Sequence, residues 1–367
     1  MKIARLRLHQ FTSFEDITLD FAAGVNIIIG ENATGKSHVL KLLYTVSESL
    51  RRHTRGEGLD GRQGEPLDAI VGEMLRSVFL PEELGRLVRR VPRGAKTAIV
   101  EVTWDSGASF RLTLTTQGSL TVEVAGDFSA LENAVFIPTR ELLSIYPGFT
   151  AAWLRRESAF DRTYFDICVL LGLNPLRGPR DELRRALIEP LERATRSRVY
   201  RQNERFYLKY EEGSDIEASL AAEGHRKLGM IAYLIVNGSL TTNGFLFWDE
   251  PEAGINPSLV RTTAETIVSL ASAGLQSFLS THDYILASDL SLRAQPDKMR
   301  FFAFGRGEQA HGVHGAHGAH GAHGVMAESG DRMTDLQHNA ILDAFVNLHA
   351  RERAAFVGAG NDEDQKP

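Results

Sequence analysis

A glycine-rich segment of the sequence has the residue types and the spacing of a phosphate-binding loop. Residues 30–37 read Gly-Glu-Asn-Ala-Thr-Gly-Lys-Ser and follow the apolar run 25–29. Glycines let backbone N–H groups wrap around phosphate oxygens, a lysine neutralises their charge, and a serine hydroxyl can ligate Mg²⁺. A helix that begins here directs the positive end of its dipole at the anion. The predicted nucleotide-binding residues are Gly30, Asn32, Ala33, Thr34, Gly35, Lys36, Ser37 and His38.

An acidic pair follows a second apolar run. Asp249 and Glu250 come directly after residues 245–248, which predict a buried strand. Asp249 is expected to bind Mg²⁺ together with Ser37, and Glu250 is expected to polarise the attacking water. Two acids in a row also begin many helices, but downstream of a phosphate-binding loop the catalytic interpretation is favoured.

A histidine ends a third apolar run. His282 follows Leu279-Ser280-Thr281 and lies downstream of Glu250 in the chain. A single histidine at the end of a strand is more often structural than catalytic. From the residues alone, the structural and the catalytic interpretation of His282 both stay open.

The elements that must position these residues alternate between apolar strands and helices. Helices are expected near 37–50 and 223–238, a loop at 51–66, and a hairpin at 199–210. Between 97 and 124, apolar and polar residues alternate around glycine-containing turns, which is typical of an antiparallel meander. We therefore predict an α/β fold with a mixed sheet, an antiparallel β meander and a helical lobe.

Composition places the chain among soluble globular proteins. Hydrophobic residues make up 43% of the 367 residues and charged residues 24%, and the formal net charge is −6. The sequence has neither an apolar run long enough to span a bilayer nor the pattern of a signal peptide, so no membrane contact is expected. Its single cysteine, Cys168, fits a reducing compartment. The expected location is the cytoplasm.

Basic residues are concentrated in one segment. Residues 151–210 contain thirteen Lys and Arg against eight Asp and Glu. Such a segment predicts contact with a nucleic-acid backbone, and it is also typical of solvated helix faces; both interpretations stay open.

The three motifs together resemble those of the SMC/RecF/OLD branch of ABC-type ATPases, in which OLD stands for overcoming lysogenization defect. The resemblance rests on Gly30–Ser37, on residues 248–252 (Trp-Asp-Glu-Pro-Glu) with Asn256-Pro257, and on residues 280–282, and it spans most of residues 1–305. It implies an ABC-type P-loop ATPase head that binds ATP and Mg²⁺ and hydrolyses the ATP. In this family the histidine at the position of His282 contacts the γ-phosphate.

The resemblance and the composition of the remaining segments together predict a domain order. We expect a helical segment after the low-complexity run HGVHGAHGAHGAHG, which we interpret as a flexible insert with zinc or nickel binding as the other interpretation. The predicted ranges are 1–310 for the head (N-terminal lobe 1–147, helical lobe 148–198, C-terminal lobe 199–310), 311–324 for the insert, 325–360 for the C-terminal helical segment and 361–367 for the tail.

Further residues receive their roles from the resemblance alone. Arg140 and Glu141 stand at the Q-loop position, and Asn256 stands at the position of the D-loop, which lies across a dimer interface in the family. The signature motif, which meets the partner's γ-phosphate, aligns with Ala222, Glu223 and Gly224. Ala222 replaces the serine of that motif, which predicts slow hydrolysis.

Two classes of function follow. In the first, an ATPase pairs with a second copy around ATP and gates a separately encoded effector in nucleic-acid-linked processes, such as anti-phage defence. In the second, a slow or non-hydrolysing nucleotide-sensing scaffold holds a toxin or nuclease inactive. A separate effector is expected because the sequence has no sustained heptad pattern and no nuclease domain after residue 367. The head of a transporter is a distant third, because no element that couples to a membrane is visible.

Overall fold

The computed structural model describes residues 1–59, 63–90, 96–177, 182–240, 243–306 and 324–361. The predicted insert at 311–324, except Gly324, and residues 362–367 of the predicted tail lie outside these ranges. The described strands are β1 (Ile3–Phe11), β2 (Phe14–Asp20), β3 (Val25–Gly30), β4 (Thr97–Trp104), β5 (Ser109–Thr115), β6 (Leu120–Ala125), β7 (Ala134–Ile137), β8 (Ser197–Gln202), β9 (Arg205–Tyr210), β10 (Asp215–Glu217), β11 (Phe245–Asp249), β12 (Gln276–Thr281), β13 (Met299–Arg306) and β14 (Val325–Gly330). The described helices are α1 (Lys36–Thr54), α2 (Leu67–Phe79), α3 (Phe149–Leu154), α4 (Arg162–Leu171), α5 (Glu182–Thr195), α6 (Glu223–Val236), α7 (Pro257–Ser272), α8 (Tyr284–Leu292) and α9 (Ala340–Asn361).

A six-stranded sheet in the order β14-β13-β3-β12-β11-β7 forms the centre of the fold. Its neighbouring strands are parallel except β13 and β14. Residues of β3, β12 and β11 pair in register, so the carboxyl ends of these three adjacent strands lie at one edge of the sheet. The three motifs follow those ends, and ligands of open α/β sheets bind at such an edge.

Alternate side chains of this sheet enter two separate cores. One core contains Ile27, Trp248 and Leu279 and includes the helices α4 to α8. The other contains Ile28 and Phe247 together with α1, α2 and the second sheet. Because successive residues of a strand point to opposite faces, fully apolar strands such as these must be covered on both sides.

The second sheet is antiparallel and has five strands in the order β2-β1-β4-β5-β6. Its β4–β6 part is the meander expected at 97–124, and the two N-terminal strands extend it. A third sheet, β10-β9-β8, contains the hairpin expected at 199–210 and gains one short strand. The α/β class with a mixed sheet, a meander and a helical lobe is therefore confirmed.

Two local predictions were wrong. Helix α1 continues to Thr54, beyond the predicted boundary at residue 50, because Glu48 forms ion pairs with Arg51 and Arg52 one turn away. The predicted C-terminal helical segment begins with the strand β14, which pairs with β13 across the insert. The helix of that segment, α9, starts only at Ala340. Among the described helices, none has the length and apolar character needed to cross a bilayer.

Candidate functional site

The loop between β3 and α1 has the backbone of a phosphate-binding turn. Gly35, at the start of α1, has a φ of 88°, and a Cβ there would come within 2.6 Å of both Phe14 and Ser13, so only glycine fits. In the described structure no side chain caps this helix, which leaves its first N–H groups for an anion. The Thr34 hydroxyl donates to the carbonyl of Glu31 at 2.8 Å and braces the loop.

Lys36 points back into the loop. Its Nζ donates to the carbonyl oxygens of Gly30 at 2.7 Å and Glu31 at 2.8 Å, and the side chain is buried. Burial lowers the pKa of Lys36, and the nearby carboxylates of Glu250 and Asp249 oppose that shift. The ammonium group is therefore held at the mouth of the loop by backbone atoms.

Asp249, the last residue of β11, receives two hydroxyl groups. Ser37 Oγ donates to Asp249 Oδ1 at 2.9 Å, and the Ser280 hydroxyl donates to the same oxygen. A hydroxyl and a carboxylate this close are hard oxygen ligands of the kind that Mg²⁺ prefers. The donor set thus fits the predicted metal, and the structure brings Ser37 and Asp249 together as the sequence predicted.

Glu250 adopts an uncommon backbone conformation. Its φ is 49°, in the left-handed region, and its N–H donates to the carbonyl of Ser280 at 3.0 Å. Non-glycine residues in this region are strained and concentrate at functional sites. The Glu250 carboxylate lies 3.3 Å from Nδ1 of His282, so the two predicted catalytic side chains are neighbours.

A second glutamate, Glu252, completes this cluster. Its Oε1 accepts from the Thr281 hydroxyl at 2.7 Å and from the backbone N–H of His282 at 3.2 Å, and lies 3.6 Å from His282 Nδ1. Burial raises the pKa of Glu252. Glu252 belongs to the motif at residues 248–252, but the sequence assigned it no role. Its spacing two residues after Glu250 is the signal that could have identified it as a site residue.

The remaining loop residues differ in how much of their side chains is exposed to solvent. Asn32 and Ala33 are exposed at the tip of the loop, and Ala33 has a φ of 63°. His38 instead packs its ring against Phe79 of α2, with centroids 5.6 Å apart, and burial lowers the pKa of His38. The side chain of His38 therefore serves the core, and only its backbone can face the loop.

The signature-like residues lie at the start of α6, as expected. Ala222 occupies the N-cap position, and both Ala222 and Glu223 are exposed. Gly224 is buried: a Cβ there would lie 3.2 Å from Leu259 Cδ1 and 3.5 Å from the carbonyl of Gly254. A side chain at position 224 would therefore face its own head, and the contact of Gly224 with a second copy stays a prediction for its backbone N–H alone.

The residues at the Q-loop and D-loop positions have structural partners that the sequence did not reveal. Glu141 is buried and accepts from Arg226 Nε at 2.6 Å, whereas Arg140 is exposed. Asn256 caps α7, because its Oδ1 accepts from the backbone N–H of Leu259 at 3.2 Å.

The arginine-rich segment is partly neutralised by its own carboxylates. Arg198 pairs with Glu192 at 3.2 Å, and Arg201 pairs with Glu204 at 3.1 Å. Arg193 is exposed in α5, and Arg196 is exposed just after it. Both carboxylates are already among the eight acidic residues counted in 151–210, so the pairs leave the excess of five positive charges (thirteen minus eight) unchanged.

Comparison with known proteins identifies ATPase domains in both halves of the chain. Residues 1–134 match the family described as "AAA ATPase domain". Residues 147–288 match the family described as "AAA domain, putative AbiEii toxin, Type IV TA system". The second match includes the start of α6, the acidic pair Asp249-Glu250 and His282.

Short stretches of the chain are similar to RecF proteins. A 57-residue stretch is 37% identical to the DNA replication and repair protein RecF of Limosilactobacillus reuteri (strain DSM 20016) and covers 16% of this chain. A 44-residue stretch is 46% identical to RecF of Halalkalibacterium halodurans and covers 12% of this chain. These matches span 15% and 12% of the length of the two relatives.

Solved structures of SMC heads share the fold. The SMC head bound to the C-winged helix domain of ScpA aligns with a TM-score of 0.56 at 12% identity, over 92% of this chain and 100% of that one. The SMC head with an extended coiled coil, bound to the C-terminal domain of ScpA derived from Pyrococcus furiosus, gives 0.53 at 12% identity, over 96% and 99%. The two ATPase-domain matches, the RecF-like stretches and the fold shared with SMC heads together support an ABC-type ATPase similar to those of the SMC/RecF branch.

Proposed function

We propose that this chain binds ATP with Mg²⁺ and hydrolyses it at the edge where β3, β11 and β12 end. The observation that carries the proposal is the contact of three separate motifs: Ser37 with Asp249 at 2.9 Å, and Glu250 with His282 at 3.3 Å. The residues in contact lie far apart in the sequence. Their convergence beside a phosphate-binding loop is the arrangement that phosphoryl transfer by positioning requires.

Each side chain has a distinct task in this proposal. The loop amides and Lys36 hold the phosphates, and Ser37 and Asp249 bind the metal ion. Mg²⁺ supplies positive charge that stabilises the phosphate oxygens during transfer. Glu250 orients the attacking water and draws its proton, and His282 contacts the terminal phosphate.

The active form is proposed to be a pair of heads. The exposed Ala222 and Glu223 at the start of α6 offer backbone N–H groups to the terminal phosphate held by a second copy. The exposed side chain of Arg140 and the α7 cap at Asn256 would lie beside that contact. ATP would thus join two heads, and hydrolysis would separate them.

The names of the similar proteins support a role in nucleic-acid-linked processes. RecF is described as a DNA replication and repair protein, and the matched family is described as a putative toxin of a type IV toxin–antitoxin system. The solved SMC heads are bound to domains of ScpA. We propose that this head gates a separately encoded effector in the cytoplasm, in a process such as anti-phage defence.

One observation favours a second candidate. Ala222 provides no hydroxyl for the phosphate of a partner, since it stands where the signature motif has serine. A head of this kind would bind ATP, hydrolyse it slowly or not at all, and act as a nucleotide-sensing scaffold that holds a toxin or nuclease inactive.

Turnover by the wild type and by Glu250→Gln tests the proposal. Loss of the general base lowers kcat by about 100-fold or more, while ATP binding stays intact. Glu83→Gln, at an exposed position outside the site, controls for the loss of a carboxylate. Phosphate release that is equal in wild type and Glu250→Gln contradicts the assignment. Wild type that binds ATP without releasing phosphate favours the scaffold.

A further inference from the structure

A buried lysine, Lys227, lies next to the proposed site and none of the roles above uses it. It lies on the second turn of α6 and is 0% exposed. Its Nζ donates to three backbone carbonyl oxygens: Glu250 at 2.8 Å, Ala253 at 3.0 Å and Thr139 at 3.1 Å. An ammonium group has three N–H donors, so each donor has one acceptor.

The three acceptors belong to three different functional segments. Thr139 directly precedes Arg140, at the Q-loop position. Glu250 is the proposed water-activating residue, and Ala253 lies in the turn that leads to Asn256. One side chain therefore ties the Q-loop-like segment, the catalytic glutamate and the D-loop-like segment to the helix that begins with the signature residues.

Lys227 holds backbone instead of pairing with a charge. Among the described residues, no carboxylate forms an ion pair with its Nζ within 4.0 Å. Burial lowers the pKa of Lys227 to about 8, and the more distant carboxylates of Glu252, Glu223 and Glu250 oppose that shift. Burial of an ammonium group costs free energy unless its N–H donors are satisfied. The three carbonyl contacts of Lys227 offset this cost and fix the backbone of the segments that supply them.

Glu250 is the residue whose backbone needs such support. Its N–H donates to the carbonyl of Ser280 at 3.0 Å, and its carbonyl accepts from Lys227 Nζ at 2.8 Å and from the backbone N–H of Ala253 at 3.1 Å. These bonds hold φ at 49°, a value that an unsupported glutamate rarely adopts. Removal of the Lys227 bond would leave the Glu250 carbonyl with the Ala253 N–H alone, so the strained backbone of Glu250 would be held less firmly and its carboxylate positioned less well.

The first residue of α6, Glu223, also contacts the turn after Glu250, which Lys227 binds through Ala253. A Cβ on Gly254 would come within 2.4 Å of Glu223 Cδ, so the Glu223 side chain lies directly over this turn. Glu223 is also one of the exposed residues proposed to meet the second head. Glu223 lies four positions before Lys227 in α6, and Lys227 donates to the carbonyl of Glu250. A contact of the second head with Glu223 is therefore linked to Glu250 through this one helix.

We infer that Lys227 is a positioning residue for ATP hydrolysis, which holds Glu250 in its working backbone conformation and links it to the docking of a second head on α6. The inference rests on the proposed function, because it presupposes that Glu250 activates water. It assigns Lys227 no contact with the nucleotide, so ATP affinity should not depend on it.

Steady-state hydrolysis by Lys227→Met tests this inference. Methionine has a similar length without N–H donors, and we expect kcat to fall about 10- to 100-fold while KM and the ATP dissociation constant change little. Lys227→Gln keeps two N–H donors and should fall between wild type and Lys227→Met. Met230→Ala, a cavity in the same helix, controls for lost packing: its melting temperature should drop while kcat changes little.

The outcomes separate this inference from the proposed function. Wild-type turnover that is lost in Glu250→Gln but unchanged in folded Lys227→Met overturns the inference alone. Wild type without turnover overturns the hydrolytic function and this inference with it. If neither Lys227 variant folds, or if Met230→Ala loses kcat to the same extent, Lys227 is a determinant of folding and the inference is wrong.

Discussion

Cationic side chains at this site are held by backbone oxygens. Lys36 donates to the carbonyls of Gly30 and Glu31, and Lys227 donates to three further carbonyls. Carbonyl acceptors fix the position of an ammonium group and leave its charge uncompensated, whereas a carboxylate in an ion pair would cancel that charge. For Lys36 this leaves the positive charge available to an anion in the loop.

Replacement of Lys36 by alanine should therefore weaken ATP binding. The variant loses the main cation of the loop, and we expect the dissociation constant to rise by about tenfold or more, which corresponds to ~1.4 kcal/mol. Isothermal titration calorimetry measures this directly. Lys96→Ala, at an exposed lysine that begins the β4 region, controls for the lost charge. Equal ATP affinity in wild type and Lys36→Ala would show that the loop does not bind the phosphates.

The sequence predicted those residues whose chemistry is local in the chain. The loop at 30–37 can be recognised because its glycines, lysine and serine have fixed spacing. Lys227 could not be recognised in this way, since Thr139, Glu250 and Ala253 are distant from it in sequence. One signal was present: Lys227 occupies a core-facing position of α6, three residues after the buried Gly224 and three before the buried Met230.

Helices and strands were predictable where their hydrophobic period was uninterrupted. The apolar runs at 25–29 and 245–248 and the run that precedes His282 became the three adjacent strands that carry the site. The end of α1 could not be predicted in this way, because its last turn is stabilised by ion pairs and shows no apolar spacing. β14 was also missed, since its partner β13 lies across the insert and the pairing of distant strands leaves little trace in either sequence.

The end of α1 should depend strongly on Glu48. This carboxylate is buried and pairs with Arg51 at 2.8 Å and Arg52 at 2.6 Å. Glu48→Ala removes the buried carboxylate from the guanidinium groups of Arg51 and Arg52. We expect this to lower the free energy of unfolding by about 3–5 kcal/mol. Glu73→Ala, which removes an exposed pair with Arg76, should cost about 1 kcal/mol or less. Chemical denaturation measures both; equal costs would contradict the buried network.

The same pair predicts a loss of stability in acid. Burial alone would raise the pKa of Glu48, but the hydrogen bonds and charges of Arg51 and Arg52 outweigh it and leave the pKa below 4.5. A carboxyl with a lowered pKa in the folded state stabilises the fold above its unfolded pKa and loses this contribution as the pH falls through the folded value. Wild type should therefore lose more stability than Glu48→Ala below about pH 4.5.

At the scale of the whole molecule, two surfaces of the head are proposed to contact partners. One is the nucleotide edge with the exposed start of α6, and the other is the arginine-rich segment with Arg193 and Arg196 exposed. In the second surface, Arg198 and Arg201 form ion pairs with Glu192 and Glu204. The first surface is the better supported of the two, because the contacts of Ser37 with Asp249 and of Glu250 with His282 lie at the nucleotide edge.

Charge reversal at the second surface tests its proposed contact with nucleic acid. We expect wild type to bind duplex DNA with an affinity that falls as salt increases, and the Glu triple variant of Arg193, Arg196 and Arg198 to bind more weakly with a shallower salt dependence. Reversal of Arg76 and Arg86 controls for surface charge elsewhere. Wild type without salt-sensitive binding, with or without ATP, would make the segment a solvated face.

The molecular mass of Glu250→Gln in solution tests the central claim, that ATP joins two of these heads. The variant keeps the phosphate-binding loop, Ser37 and Asp249 while hydrolysis is blocked, so multi-angle light scattering should give the mass of two chains, or of a higher assembly built from such pairs, with ATP and Mg²⁺ and of one chain without them. Adding Ala222→Glu, at an exposed position, should return the mass to one chain because the acid repels the partner's phosphate, while ATP binding persists. A mass that is the same in every condition would contradict the ATP-dependent pairing of heads.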